Sequence, residues 1–201
     1  MNKIETVTLD NLDSMVEQIK SCDVCQPHLP YQVRPIVQLN PQARILIASQ
    51  APGRRAHDSG IPFDDPSGER LRYWLGIDRK QFYDASKIAI LPMGFCYPGK
   101  GKTGDLPPRK ECEPVWRRPI LQQLPNIELT LVIGQYAQAY HLGANHDSVT
   151  INVQNWQDYW PDILPLPHPS PRNIFWFKRN PWFEEELIPI LQQRVKDVLS
   201  S

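Results

Sequence analysis

Ala43-Arg-Ile-Leu-Ile-Ala-Ser49, running straight into Gln50-Ala-Pro-Gly53, is the stretch on which the fold turns. A short, β-branched apolar run that meets a Pro-Gly punctuation mark predicts a buried strand opening into a tight loop, and loops at strand ends are where sites are built. Working towards the amino end, Leu9, Leu12, Val16 and Ile19 recur at helical spacing just before Cys22, which predicts an amphipathic helix followed by a loop to about Gln42. Working the other way, Asp65-Pro66-Ser67 predicts a helix start, with Asp65 or Ser67 as cap and Pro66 in the first turn. Leu71, Trp74 and Leu75 form that helix's apolar face. Lys87 to Phe95 (KIAILPMGF) reads as a second strand, Glu113 to Leu124 as helix, and Leu129 to Ile133 (LTLVI) as a third strand. Gly134 then leads into a helix near Tyr136 to Leu142. Ile163 to Leu166 is a fourth, short strand ending in His168-Pro-Ser-Pro-Arg-Asn173, and Pro181 to Leu199 is helical with a break at Pro189. This alternation predicts an α/β fold: a three-layer α/β/α sandwich around a four-stranded, mainly parallel sheet.

The chain has 201 residues, 41% of them hydrophobic, which suits a single domain over 1–201 with a sizeable core; the N-terminal helix and Cys-x2-Cys at about 9–25 pack onto it. No run of about 18 apolar residues occurs. Met1 to Asp13 has neither the basic region nor the apolar stretch of a signal peptide, so the expected location is cytoplasmic. The 22 basic and 22 acidic residues cancel, so no global field attracts nucleic acid and any such binding rests on local patches. Proline, at 21 residues, is about twice as frequent as the usual ~5% and calls for much ordered loop.

Four cysteines occur as Cys22-x2-Cys25 and, far away, Cys96-x15-Cys112. Without a secretion signal a disulfide framework is disfavoured, which leaves an iron-sulfur cluster, zinc, redox chemistry or unrelated thiols. The order and spacing of Cys22, Cys25, Cys96 and Cys112 resemble the four ligands of the iron-sulfur (family 4) uracil-DNA glycosylases. Ser49-Gln-Ala-Pro-Gly53 resembles that family's Gly-Glu-Ala-Pro-Gly, and Gly60-Ile-Pro-Phe63 resembles its Gly-x-Pro-Phe. His168-Pro-Ser-Pro-Arg-Asn173 is similar to the superfamily's second active-site motif, in the form used by the single-strand-selective glycosylases. The resemblance runs from about Ser21 to the last helix. It implies the uracil-DNA glycosylase fold with both motifs at the carboxyl ends of strands, and a structural [4Fe-4S] cluster, or zinc, on the four cysteines. It also implies a monomeric, monofunctional enzyme of base-excision repair that hydrolyses the N-glycosidic bond of uracil or another deaminated base in DNA.

Breaking that bond builds positive charge on the sugar and negative charge on the leaving base, after the nucleotide has been flipped out of the stack. By resemblance, Phe63 stacks on the base beside Ala51, and His168 donates to the uracil O2. Ser170, Arg172 and Asn173 fall where the family's loop enters the minor groove and holds phosphates. Read without the motifs, Phe63 is rather a core phenylalanine in a proline-rich turn, and Ser170 to Asn173 an ordinary polar turn. Phe175-Trp-Phe-Lys-Arg179 interleaves aromatics with bases, which suits DNA or simply anchors the last helix. Lys100, Lys102, Arg109 and Lys110 face only Asp105 within residues 97–110, a second basic patch.

Two positions depart from the family. Gln50 stands where the catalytic glutamate belongs, and an amide can orient water but carries no charge. Pro92 stands where the family has an asparagine. Asp58, Asp64 or Asp65, on the same loop as Phe63, is a candidate to supply the carboxylate from another direction, or else serves solubility and helix capping. An alternative function follows from Gln50: a catalytically impaired, glycosylase-like domain that binds nucleic acid or a nucleobase. Were no base released from any substrate, restored activity in Gln50→Glu would show what had been lost.

Overall fold

The computed structural model describes residues 11–143 and 148–200. Its centre is a four-stranded sheet of β1 (Ile45–Ala48), β2 (Ile88–Ile90), β3 (Leu129–Ile133) and β4 (Ile163–Leu166), in the order β2-β1-β3-β4. All three pairings are parallel, with Ile45 opposite Ile88 and Leu129, and Leu131 opposite Leu164. The expected "mainly parallel" sheet is therefore wholly parallel. The strands are apolar almost throughout because both faces are covered, which removes any reason for polar alternation.

Parity along each strand assigns the layers. Ile45, Ile47, Ile88, Ile90, Leu129, Leu131 and Ile133 point into one core with Trp74, Phe183 and Leu191. Leu46 and Ala89 point the opposite way, into a core with Met15, Ile19, Phe95, Trp116 and Ile120. Helices α1 (Leu12–Lys20), α2 (Arg54–Ser59), α3 (Pro66–Leu75), α4 (Arg79–Phe82), α5 (Arg118–Gln122), α6 (Gly134–His141), α7 (Val149–Gln154), α8 (Ile174–Arg179) and α9 (Ile188–Ser200) surround the sheet. Truncating one side chain at the heart of the first core, such as Leu191, should cost about 2–5 kcal/mol.

The sequence reading holds for the four strands, although β2 is shorter than Lys87 to Phe95. Residues 91–99 form instead a buried irregular segment behind the sheet's carboxyl edge. Leu9 lies outside the described residues, and α1 begins at Leu12 with Asn11 as its cap. Helices α2, α4, α7 and α8 went unforeseen because they are one or two turns long and carry little periodicity. The two longer helical stretches each begin with a π-helical turn, Glu113–Arg117 and Phe183–Leu187, followed by Pro119 and Pro189 near the start of α5 and α9. Proline lacks the N–H for an i→i−4 bond and its ring needs room, so the preceding turn widens. The expected break at Pro189 is this widened turn; the helix continues through it.

Two buried polar side chains brace the carboxyl edge. Arg117 donates from Nη1 to the carbonyls of Leu91 (3.2 Å) and Pro92 (3.1 Å), and its Nη2 lies 2.7 Å from His141 Nε2. Gln138 donates to the Leu166 carbonyl at 3.0 Å and accepts from Asn152 at 2.9 Å, fixing the end of β4.

Candidate functional site

The loops leaving β1 and β4 meet over a cavity of about 620 Å³ at the carboxyl edge of the sheet, the position where open parallel sheets hold ligands. Gln50, Ala51, Phe63, His168, Ser170, Arg172 and Asn173 all line it, so the site residues carried by the three motifs arrive at one place. Pro92 forms part of the wall, with a buried ring that offers no hydrogen-bonding side chain.

Each element is held by local chemistry. The loop after β1 is laced to the segment after β2, where Met93 N–H donates to Ser49 O (2.7 Å) and Gly94 N–H to Gln50 O (3.0 Å). Gly60 ends α2 at φ 77°, a left-handed turn that glycine makes without strain, and Arg34 closes the turn by donating to the carbonyls of His57 (2.7 Å) and Asp58 (2.8 Å). The chain then reaches Phe63, which has φ 55° although it is not glycine. Tyr83 Oη donates to the Pro62 carbonyl (2.9 Å) on one side of it, and Asp65 caps α3 through Gly68 N–H (2.9 Å) on the other. The Phe63 ring meets Phe82 edge to face, with centroids 6.2 Å apart. A non-glycine residue in this conformation persists only where its surroundings fix it, and these contacts do so.

His168 is half-buried. Its Nδ1 accepts from Ser170 N–H at 3.1 Å, and Asn173 donates to the His168 carbonyl at 2.7 Å. Burial pushes the imidazole below its ordinary pKa, against the carboxylates of Asp65 and Asp105, which pull it up. With Nδ1 accepting, a neutral ring carries its proton on Nε2, leaving an N–H donor. Ser170 Oγ accepts from Arg172 N–H (3.2 Å) and shapes the turn that presents Arg172 at the rim.

Gln50 does not stand free in the cavity. Its Nε2 donates to the Leu106 carbonyl at 3.1 Å, tying the first motif to a loop 56 residues away. Of the three aspartates considered on the Phe63 loop, Asp58 is held by Arg54 at 2.9 Å through both oxygens and Asp64 by Arg79 at 2.9 Å. Asp65 alone of the three lines the cavity. Asp105 also lines it, and nothing in its sequence neighbourhood marks this, since the long-range Gln50–Leu106 contact brings that loop to the site.

The aromatic and basic stretch after the second motif mainly anchors the last helix. Phe177 is buried against Trp74 (5.6 Å) and Phe183 (6.0 Å), and Trp176 donates to Thr150 Oγ1 (2.9 Å), while Phe175 is exposed. Within the second basic patch, Arg109 is ion-paired with Glu111.

Cys25, Cys96 and Cys112 are buried and Cys22 is half-buried. They come from three segments: the end of α1, the segment after β2 and the start of the 113–117 turn. Burial pushes the Cys96 and Cys112 thiols up to about 11 and about 12, and Cys22 packs against the apolar cluster that holds Cys112. Burial, with the Glu111 charge, raises the Cys25 thiol as well, against the opposing pull of Arg109. Among the described residues no three His, Cys, Asp or Glu side chains are grouped as a metal ion requires. Among the same residues no helix is long and apolar enough to cross a membrane.

The sequence matches the family described as the Uracil DNA glycosylase superfamily over residues 36–192. Among solved structures it is similar to a solution NMR structure from Methanosarcina acetivorans, described as a candidate uracil DNA glycosylase. The two share 15% identity and a TM-score of 0.47, over 80% of this chain and 97% of that one. The weight rests on the family match, which spans most of the chain and both strand-end motifs.

Proposed function

Because the chain belongs to the uracil DNA glycosylase superfamily, we propose that it is a monofunctional DNA glycosylase, acting as a monomer to hydrolyse the N-glycosidic bond of uracil or another deaminated base in DNA. The observation that carries this reading is the convergence of Gln50, Ala51, Phe63, His168, Ser170, Arg172 and Asn173 on one cavity, from loops more than 100 residues apart in sequence.

In this reading Phe63, fixed by its neighbours, stacks on the flipped base beside Ala51. Neutral His168 donates Nε2–H to a base carbonyl as negative charge develops there, and a neutral donor already desolvated needs no reorganisation when that charge appears. Ser170, Arg172 and Asn173 lie at the rim, where phosphates of the extruded strand would pass. Because the net charge is zero, DNA binding depends on such local contacts and weakens as salt rises.

Cys22, Cys25, Cys96 and Cys112 would hold a [4Fe-4S] cluster, with zinc as the alternative, since both accept four thiolates. The order and spacing of the four cysteines support this, with Cys22 packed against the apolar cluster that holds Cys112, and the group would pin α1 to the loop that precedes Cys112. Its contribution is structural.

A second reading, a binding domain without turnover, draws on Gln50, whose amide is engaged by Leu106. Base release from single- and double-stranded oligonucleotides carrying uracil or hypoxanthine separates the two. The glycosylase reading expects free base and an uncleaved abasic strand, lost in His168→Ala; tight binding with no release from any substrate would favour the binding domain.

A further inference from the structure

Resting on the glycosylase reading, we propose that Asp105 is the catalytic carboxylate of this site and that Gln50 is a positioning residue that holds it there. The missing carboxylate of the first motif and the amide in its place are then one arrangement: the charge has moved to a different loop, and the amide at position 50 ties that loop down.

Four observations carry this. The loop bearing Asp105 is a closed hairpin, with Leu106 N–H donating to Gly99 O (2.9 Å), Gly101 N–H to Gly104 O (2.6 Å), and the backbones of Lys100 and Asp105 paired antiparallel. Its last residue, Leu106, accepts the Gln50 amide at 3.1 Å, which brings the hairpin over the cavity. A Cβ on Gly53 would stand 3.8 Å from Asp105 Oδ2 and 3.9 Å from Asp65 Oδ2, so both carboxylates reach the same side of the glycine that closes the first motif. Finally, the carboxylates differ in what they are free to do. Asp65 Oδ1 is occupied by Gly68 N–H at 2.9 Å, whereas among the described residues Asp105 is held by the long contact of 3.5 Å from Tyr97 Oη. The electrostatic influence of Asp105 on His168 agrees with a position on the same cavity.

A glutamate at position 50 could not do what Gln50 does. It has no N–H for the Leu106 carbonyl, and its charge would oppose that carbonyl and Asp105 beyond it. In the step itself, the bond from the sugar C1′ to the base nitrogen breaks and its electron pair leaves with the base. The oxygen of a water molecule bonds to C1′ and gives its proton to Asp105. That proton passes through solvent to the base nitrogen, so the net change is one water added across the bond. Before the water closes in, the Asp105 charge faces the cationic sugar.

The test uses the full-length protein and two oligonucleotides that differ at one position, a cationic pyrrolidine against a neutral tetrahydrofuran in place of the sugar. Wild type should bind the cationic analogue at least about tenfold more tightly, since a site built for a cationic sugar favours its stable mimic. Asp105→Asn should bring the ratio to about one and lower the kcat of base release about 100-fold with little change in KM. Asp65→Asn should retain most of the preference. Gln50→Glu should lower both preference and kcat. Asp105 is exposed, so its substitution leaves the fold intact. An Asp105→Asn protein that keeps its preference and turnover overturns the assignment while the glycosylase reading stands, and so does a wild type without preference. A wild type whose preference depends on Asp105 but that releases no base supports the assignment and overturns the reading of turnover. Gain of either property in Gln50→Glu overturns the role given to Gln50.

Discussion

Gly68→Ala sets two physical rules against each other. Gly68 is the third residue of α3, and alanine is a better helix former by about 1 kcal/mol, so propensity alone predicts a more stable protein. The packing says the opposite. A Cβ at this position would lie 1.8 Å from the Phe63 carbonyl oxygen, which must retreat by about 1.6 Å to reach the 3.4 Å of ordinary contact. The obstacle is backbone, and it cannot swing away cheaply: Phe63 is already at φ 55°, Tyr83 holds Pro62 from one side and the Asp65 cap holds the other. Overpacking of this kind costs about 1–3 kcal/mol. Taking the upper end for an immovable neighbour and subtracting the helix gain leaves a loss of about 2 kcal/mol. For a chain of this length that lowers Tm by roughly 4–8 °C. On the proposed function the effect on activity should be larger than the thermal one, because displacing the Phe63 ring by more than about 1 Å would cost on the order of 100-fold in rate. Thermal unfolding by circular dichroism and base release from a uracil oligonucleotide check the two parts. An alanine variant with unchanged or raised Tm and full base release would refute the claim that Gly68 exists to let Phe63 take its position.

Two further outcomes are expected. Burial, reinforced by the Arg117 charge, lowers the His141 pKa to about 3, below its unfolded value of 6.5. A histidine depressed in this way contributes stability that is complete above pH 6.5 and is lost as pH falls towards 3, at up to about 1.4 kcal/mol per pH unit, so urea midpoints of His141→Gln should fall less on acidification than those of wild type. Parallel midpoint curves would show that His141 does not govern the acid response. Protein purified without oxygen should contain iron and acid-labile sulfide in equal amounts, and Cys112→Ser should lose both together with thermal stability. Stoichiometric zinc would establish the alternative metal, and a chain with neither metal would remove the metal reading altogether.

The sheet was legible because a parallel sheet covered on both faces writes itself as uninterrupted apolar runs: Leu129–Ile133 and Ile163–Leu166 begin and end where the composition does. The short helices were not, since one turn of helix holds too few residues to show a period, and α2 and α8 are defined by where loops are tied rather than by their own pattern. The candidate site divides the same way. Phe63, His168 and the residues of the 168–173 loop were readable because each belongs to a contiguous motif whose neighbours identify it.

Local chemistry within a few positions therefore suffices for the layered α/β fold and for the strands, while the candidate residues on the strand-end loops were named through the resemblance of whole motifs. Which carboxylates reach the cavity is settled only by packing in three dimensions. Asp58, Asp64 and Asp65 look equivalent along the chain, yet salt bridges occupy the first two and a helix cap orients the third. Asp105, remote in sequence and placed among lysines, comes to the same cavity through a hydrogen bond from Gln50 to Leu106. A charge acts through distance in space, and the chain's order does not record a distance set by contacts 56 residues apart.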